Sequence, residues 1–431
     1  MPPDLPLPEP WFRPEPQHAA ALEREARREI SPGHDLAGHA LTAIAACSGC
    51  DDVAFRVDDD SFAIIHLTGA SHQEPLPWPA TQRADGRDKN AAMTDDRLPG
   101  RYVNPSGGFV RDQRYITTRI TADGRDGFPV APGRYRLVVS RACPWANRAV
   151  IVRRLLGLEG VLSLGIAGPV HDRRSWTFDL DPGGRDPVLG IERLQQAYFA
   201  RFPGYDRGIT VPAIIDIPTG QVVTNDYAQI TLDLSAEWRA WHRPGAPDLY
   251  PERHRAEIDQ VARLVFEDVN NGVYRCGFTG TQEAYEKAYR RLFARLDWLS
   301  ARLRHQRYLI GDTITEADVR LFTTLARFDA VYHGHFKCNR AKLTEMPVLW
   351  AYARDLFQTP GFGDTIDFDH IKRHYYQVHR DINPAGIVPA GPELSGWLSP
   401  NAGASSRSVA VVRRRASHAA TSRASSPLRR S

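Results

Sequence analysis

The run Val138-Val139-Ser140-Arg141-Ala142-Cys143-Pro144-Trp145-Ala146 constrains this chain more than any other segment. Apolar, β-branched residues lead up to the cysteine, and an amphipathic stretch, Asn147 to Leu156, leads away from it. That pattern predicts a buried strand feeding a helix, with Cys143 at the helix N-terminus. Pro144 suits the first helical position because its missing N–H would have had no helical partner. A thiol placed there lies near unsatisfied N–H groups and the positive end of the helix dipole, which favours the thiolate. Ala146 stands where a Cys-x-x-Cys pair would put its second thiol, so no resolving cysteine is at hand. The chemistry this predicts is a mixed disulfide with an external thiol. The alternative is a structural cysteine, buried for packing.

With 431 residues, 42% hydrophobic and 25% charged, the chain is long enough for two or three globular domains. No stretch approaches the roughly eighteen apolar residues of a membrane span, and Met1 to Pro16 lacks the basic-then-apolar order of a signal peptide. Five cysteines, an odd number, speak against a disulfide scaffold and for a reducing cytoplasm. Of the formal charge of +4, seven arginines from Asn401 onward supply +7, so the rest of the chain carries −3. Nucleic-acid binding gains little support from such a body.

Residues 1–95 form an extension: a helix over Ala19–Ile30, strands over Val53–Val57 and Phe62–Leu67, then a linker rich in Pro, Asp and Arg from Glu74 to Gly100. Residues 96–243 alternate. Tyr135–Ser140 reads as a strand, Trp145–Leu156 as a helix, Val161–Ile166 as a strand, and Ile209–Ile217 with Gln221–Thr224 as a hairpin. That βαβ then ββ order is thioredoxin-like. Residues 244–398 are patterned as helices, where Thr315 can cap a helix and Asp318 can reach back to it. Residues 399–431, rich in Ser, Ala and Arg, are expected to be disordered.

Several further motifs stand in order: Ser175-Trp176-Thr177-Phe178, Ile209-Thr210-Val211-Pro212, Asn270-Asn271-Gly272-Val273-Tyr274-Arg275-Cys276-Gly277-Phe278, Arg327-Phe328-Asp329-Ala330-Val331-Tyr332, His335-Phe336-Lys337-Cys338, and His374-Tyr375 with Ile382-Asn383-Pro384. Together with the cysteine segment they resemble the glutathionyl-hydroquinone reductases, the Xi class of glutathione transferases, over roughly 100–398. The resemblance implies a thioredoxin-like domain followed by an all-helical one, and a homodimer in the cytoplasm. It implies thiol-conjugated hydroquinones as substrates, and no metal or nicotinamide, since the thiol supplies the reducing equivalents.

On this resemblance Cys143 is the nucleophile and Tyr274 the acid/base that protonates the ring. Tyr332 and Tyr375 help hold the thiolate, because phenol O–H groups donating toward sulfur favour it. Trp176 lines the thiol pocket, with Gly208, Ile209, Thr210 and Val211; Val211-Pro212 falls where this fold places a cis-proline opposite the cysteine. Asn225, Asp226 and Tyr227, at a helix start, are placed to hold the polar ends of glutathione. Here the chain departs from the family pattern: Thr224-Asn225-Asp226-Tyr227 replaces the common Ser-Asn-Glu-Ser, and Arg207-Gly208 displaces an arginine. Five lysines against fifty arginines suggest a GC-rich coding source, in which mycothiol is a candidate in place of glutathione. A broader thiol transferase, deglutathionylase or dehydroascorbate reductase of omega-class type is the second reading, and a non-catalytic scaffold the third. Cys47-Ser48-Gly49-Cys50 has the spacing of a redox or half-zinc pair but reads better as structural or incidental thiols; Cys276 and Cys338 read as small buried hydrophobes.

Overall fold

The computed structural model describes residues 11–34, 36–48, 52–58, 61–67, the backbone of 81–84, 109, 111–112, 114–171 and 175–399. All of the expected disordered tail beyond Ser399, most of the expected linker and Cys50 lie outside these residues. The chain divides into two compact units, residues 1–101 and 102–431.

In the first unit an antiparallel meander runs β1 (Trp11–Phe12), β2 (Leu41–Cys47), β3 (Asp52–Val57), β4 (Phe62–His66) and β5 (Thr81–Ala84) in spatial order, with helix α1 over Pro16–Glu29. Val53, Phe55 and Val57 alternate along β3 and join Ala26 and Ile30 in a small core, as period-two patterning requires. Three of these strands, β1, β2 and β5, are not expected from the sequence. β2 (LTAIAAC) is rich in alanine, a weak strand former, and β5 lies inside the expected linker. Cys47, expected as a structural or incidental thiol, is disulfide-bonded.

The second unit opens with β6 (Tyr135–Ser140), α2 (Pro144–Leu156) and β7 (Leu162–Ala167), followed by α3 (Gln195–Arg201), β8 (Ala213–Asp216) and β9 (Gln221–Thr224). The sheet order is β7-β6-β8-β9; β6 pairs parallel to β7 and antiparallel to β8, and β8 pairs antiparallel to β9. This is the expected thioredoxin-like arrangement. The expected hairpin strand from Ile209 shortens to Ala213–Asp216, because Pro212 has no N–H to give the ladder; the Val211-Pro212 bond is cis.

Helices α4 (Tyr227–Ala236), α5 (Arg255–Val265), α6 (Gly272–Gly277), α7 (Gln282–Leu303), α8 (Glu316–Arg327), α9 (Pro347–Phe357) and α10 (Phe368–Val378) complete the unit. α8 begins as its sequence predicts. The Asp318 carboxylate accepts from the Thr315 N–H at 2.9 Å and from the Thr315 hydroxyl at 3.0 Å. It also accepts from the Leu309 N–H at 2.8 Å and the Tyr352 hydroxyl at 2.7 Å, so a buried carboxylate fastens three separate stretches of chain. One continuous apolar core joins Leu137, Val139 and Ile215 of the sheet to Val269, Phe322 and Leu349 of the helices.

Candidate active site

Cys143 is the N-cap of α2, as the sequence predicts. Its sulfur accepts from the Ala146 N–H at 3.5 Å, and its S–H donates to the Val211 carbonyl at 3.5 Å, across the cleft between strand end and cis-proline loop. The helix leaves through Gly157 at φ 73°, a left-handed C-cap that suits glycine. The predicted thiolate advantage meets an opposing force. Burial pushes the Cys143 thiol above its ordinary value, while the Ala146 and Trp145 N–H groups and the Arg327 and Arg111 charges pull it down.

The three tyrosines come together, but not as donors to sulfur. The Tyr375 hydroxyl bonds the Tyr274 hydroxyl at 2.7 Å and the Tyr332 hydroxyl at 2.9 Å, forming a chain of three phenols. Among the described residues none of the three donates to Sγ. Burial raises all three phenols, so each is a protonated donor at neutral pH. The Cys143 charge adds to burial in raising Tyr274.

Their placement depends on two π-helical turns, Phe266–Asn270 before α6 and Phe328–Tyr332 after α8. Each inserts one residue into the helical repeat and rotates the side chains beyond it, Tyr274 in the first case and Tyr332 itself in the second. Aromatic rings surround Tyr274: Phe109 and Phe278 stack on it at centroid distances of 6.0 and 6.1 Å, and Trp145 and Phe336 tilt against it at 6.1 and 5.3 Å. A Cβ on Gly277 would overlap the Phe336 ring, so glycine is what lets α6 approach.

Trp176 is buried and stacks on His374 at 5.3 Å, with His171 tilted against it at 4.5 Å. The Pro169 carbonyl is 2.9 Å from His374 Nδ1, and burial lowers the imidazole to about 3, so the ring is neutral. Gly208 is exposed, and Ile209 and Thr210 are half-buried beside Val211. The Tyr198 hydroxyl donates to the Thr210 carbonyl at 2.8 Å, and the Asn225 amide to Thr210 Oγ1 at 2.8 Å. Asn225 also accepts from the Ile116 N–H at 2.7 Å, so this buried amide braces the loop, where a ligand contact was expected of it. Asp226 caps α4, accepting from Ala228 and Gln229 N–H at 3.2 and 3.3 Å. Tyr227 packs against Trp145 at 4.7 Å and edge-on to Tyr115 at 5.3 Å.

Two arginines of the site escaped sequence reasoning. Arg111 lays its guanidinium over Trp145 at 4.5 Å and Tyr274 at 4.8 Å, anchored by a 3.0 Å bond to Asn271. Arg327 reaches the cysteine loop from α8. Only its place in the Arg327-to-Tyr332 motif hinted at it. Cys276 and Cys338 are buried, as expected. Among the described residues, no group of three or more His, Cys, Asp or Glu is placed to hold a metal ion. No helix among them is long and apolar enough to cross a membrane.

The fold and sequence of this chain are similar to those of known proteins. The glutathione S-transferase C-terminal domain family matches residues 282–355. The glutathionyl-hydroquinone reductase PcpF of Sphingobium chlorophenolicum is 42% identical over 294 residues, covering 67% of this chain and 91% of that protein. The chain belongs to the glutathionyl-hydroquinone reductase family, the Xi class of glutathione transferases. Similar solved structures include a glutathione transferase from Gordonia bronchialis, 73% identical with a TM-score of 0.67, over 67% of this chain and 90% of the other. The glutathione-bound structure of YqjG from Escherichia coli K-12 is 38% identical with a TM-score of 0.64, over 67% and 95% of the two chains. Family membership accounts for the sheet-containing and helical parts of the fold, and the likeness covers about two thirds of the chain.

Proposed function

We propose that this protein reduces thiol-conjugated hydroquinones through Cys143. The observation that carries the reading is a helix-capping thiol next to a chain of three hydrogen-bonded phenols, within a chain of the glutathionyl-hydroquinone reductase family. Attack of a thiolate on an aryl thioether sulfur is slow, because an aryl carbanion leaves poorly. Tyr274, protonated by burial, donates its proton to the ring carbon that bears sulfur as a phenolic O–H ionises, giving the ketone tautomer. Cys143 thiolate then attacks the sulfur of the conjugate. The C–S electron pair passes into the ring as an enolate, which regains a proton and leaves as hydroquinone. Cys143 is left in a mixed disulfide, and a second thiol displaces it, releasing the small-molecule disulfide. The thioether sulfur and the sulfur of the second thiol are oxidised to a disulfide and one aryl carbon is reduced, so no metal or nicotinamide is called for.

The thiol would lie along the extended Gly208–Val211 backbone, with Trp176 on one side and the start of α4 on the other. Glutathione is supported by the family and by the glutathione-bound relative. Mycothiol remains the competing thiol, because Asp226 is spent on capping α4 and Tyr227 on ring packing, where the family's Glu-Ser would meet glutathione's charged ends. We take the protein to be a cytoplasmic homodimer, on the family resemblance.

Intact-mass analysis after incubation with glutathionyl- and mycothiol-conjugated hydroquinones tests this. The expected result is an adduct of one thiol on Cys143, absent from Cys143→Ser, with hydroquinone released in equal amount. Reaction of Cys143→Ser at the wild-type rate would overturn it.

A further inference from the structure

Arg327 is wholly buried at the end of α8, yet every acceptor it meets is neutral. Its Nε donates to the Ala142 carbonyl and Nη2 to the Arg141 carbonyl, both at 2.9 Å. Nη1 donates to Asn147 Oδ1 at 3.1 Å and to the Thr323 carbonyl of its own helix at 2.9 Å. Among the described residues no carboxylate is paired with it. A guanidinium keeps its charge at any working pH, and a buried charge without a counter-ion is costly. Neutral oxygens lower that cost without cancelling the charge.

The residues Arg327 grips decide what that charge is for. Arg141 and Ala142 immediately precede the nucleophile, and Asn147 lies one turn into α2, itself donating to Thr365 at 2.8 Å. One side chain from the helical half thus holds the chain on both sides of Cys143. The same charge favours ionisation of Cys143, Tyr332 and Tyr375, and disfavours protonation of His374.

We propose that Arg327 is a positioning residue for Cys143, its guanidinium fixing the Arg141–Asn147 turn and adding a buried positive charge beside the reactive thiolate. The inference rests on the reading of Cys143 as the nucleophile. Other groups act on the sulfur too: Arg111 from the preceding loop, Tyr274 from α6, and Arg148 from α2 itself, which is stacked on Trp145 at 4.6 Å and bonded to Asn270 at 2.8 Å. Of these, Arg327 alone among the described residues bonds the backbone that carries the cysteine.

The test is the pH dependence of Cys143 alkylation by iodoacetamide, followed site by site by mass spectrometry in the full-length protein, alongside turnover. Arg327→Met should raise the alkylation midpoint by about one pH unit or more, the size expected for losing a close opposite charge. Arg327→Lys keeps the charge but cannot make the planar fork, so its midpoint should stay near wild type while kcat falls about tenfold or more. A wild-type midpoint in folded Arg327→Met overturns the proposal. If the Met variant does not fold, Arg327→Lys decides: an unshifted midpoint with reduced kcat supports it, and full wild-type kcat overturns it. Because alkylation reports the thiol without any hydroquinone substrate, failure here is distinguishable from failure of the reductase reading, which Cys143→Ser turnover tests.

Discussion

On the proposed mechanism, Tyr274 is the residue on which the chemistry divides. Plain mixed-disulfide exchange needs no ring protonation, whereas thioether reduction does. Tyr274→Phe should therefore lower reduction of a glutathionyl-hydroquinone by about 10²-fold or more while leaving exchange with a small mixed disulfide within a few-fold of wild type. Paired steady-state assays check this, and equal losses would favour the omega-type reading. The place of Cys143 at the start of α2 and the gathering of Tyr274, Tyr332 and Tyr375 are foreshadowed in the sequence because each sits in a local motif whose order along the chain is distinctive; their roles belong to the proposed function. Arg111 and Arg327 are not foreshadowed, since their partners lie far off in sequence: Arg111 meets Asn271, and Arg327 meets Ala142. No spacing rule records which carbonyl a distant guanidinium will find. Only one of the two opposing influences on the Cys143 thiol is legible in the sequence, for a related reason. The helix end is visible in the sequence, but the burial that opposes it is a property of the folded surroundings.

At the scale of elements, periodicity carried most of the reading. β6 was bounded to the residue, α2 to within one, and the start of α8 was read from Thr315 and Asp318. Asp318→Ala should cost about 3 kcal/mol or more, because it strands buried N–H and O–H donors of Leu309, Thr315 and Tyr352 together. Urea denaturation measures that loss. Asp318→Asn should fall between the alanine variant and wild type, since an amide oxygen still accepts. Strands β2 and β5 and the two π-helical turns are not legible in the sequence. Alanines dilute the β-formers Thr42 and Ile44 of β2, β5 has only Thr81, and a one-residue insertion looks like any other position in a helical pattern.

The whole molecule should be sensitive to acid. Burial lowers His335 to about 4 and His374 to about 3, and pushes His379 well below its ordinary value near 6.5. Each is thus neutral in the fold at a pH where the unfolded chain would protonate it. The stability this neutrality contributes is complete above about pH 6.5 and is lost as pH falls toward 4 and below. Tm should drop between pH 6.5 and 4.5, and His335→Asn should give a flatter profile over that range; parallel profiles would exclude His335 as a contributor. The thioredoxin-like and helical halves are legible as separate patterns in the sequence, yet they draw on one apolar core. The boundary between them is therefore a line of architecture and not of inheritance. Neither half is a module that recombination could trade alone, because a sheet taken from one relative and helices taken from another would arrive with mismatched sides of the same interior.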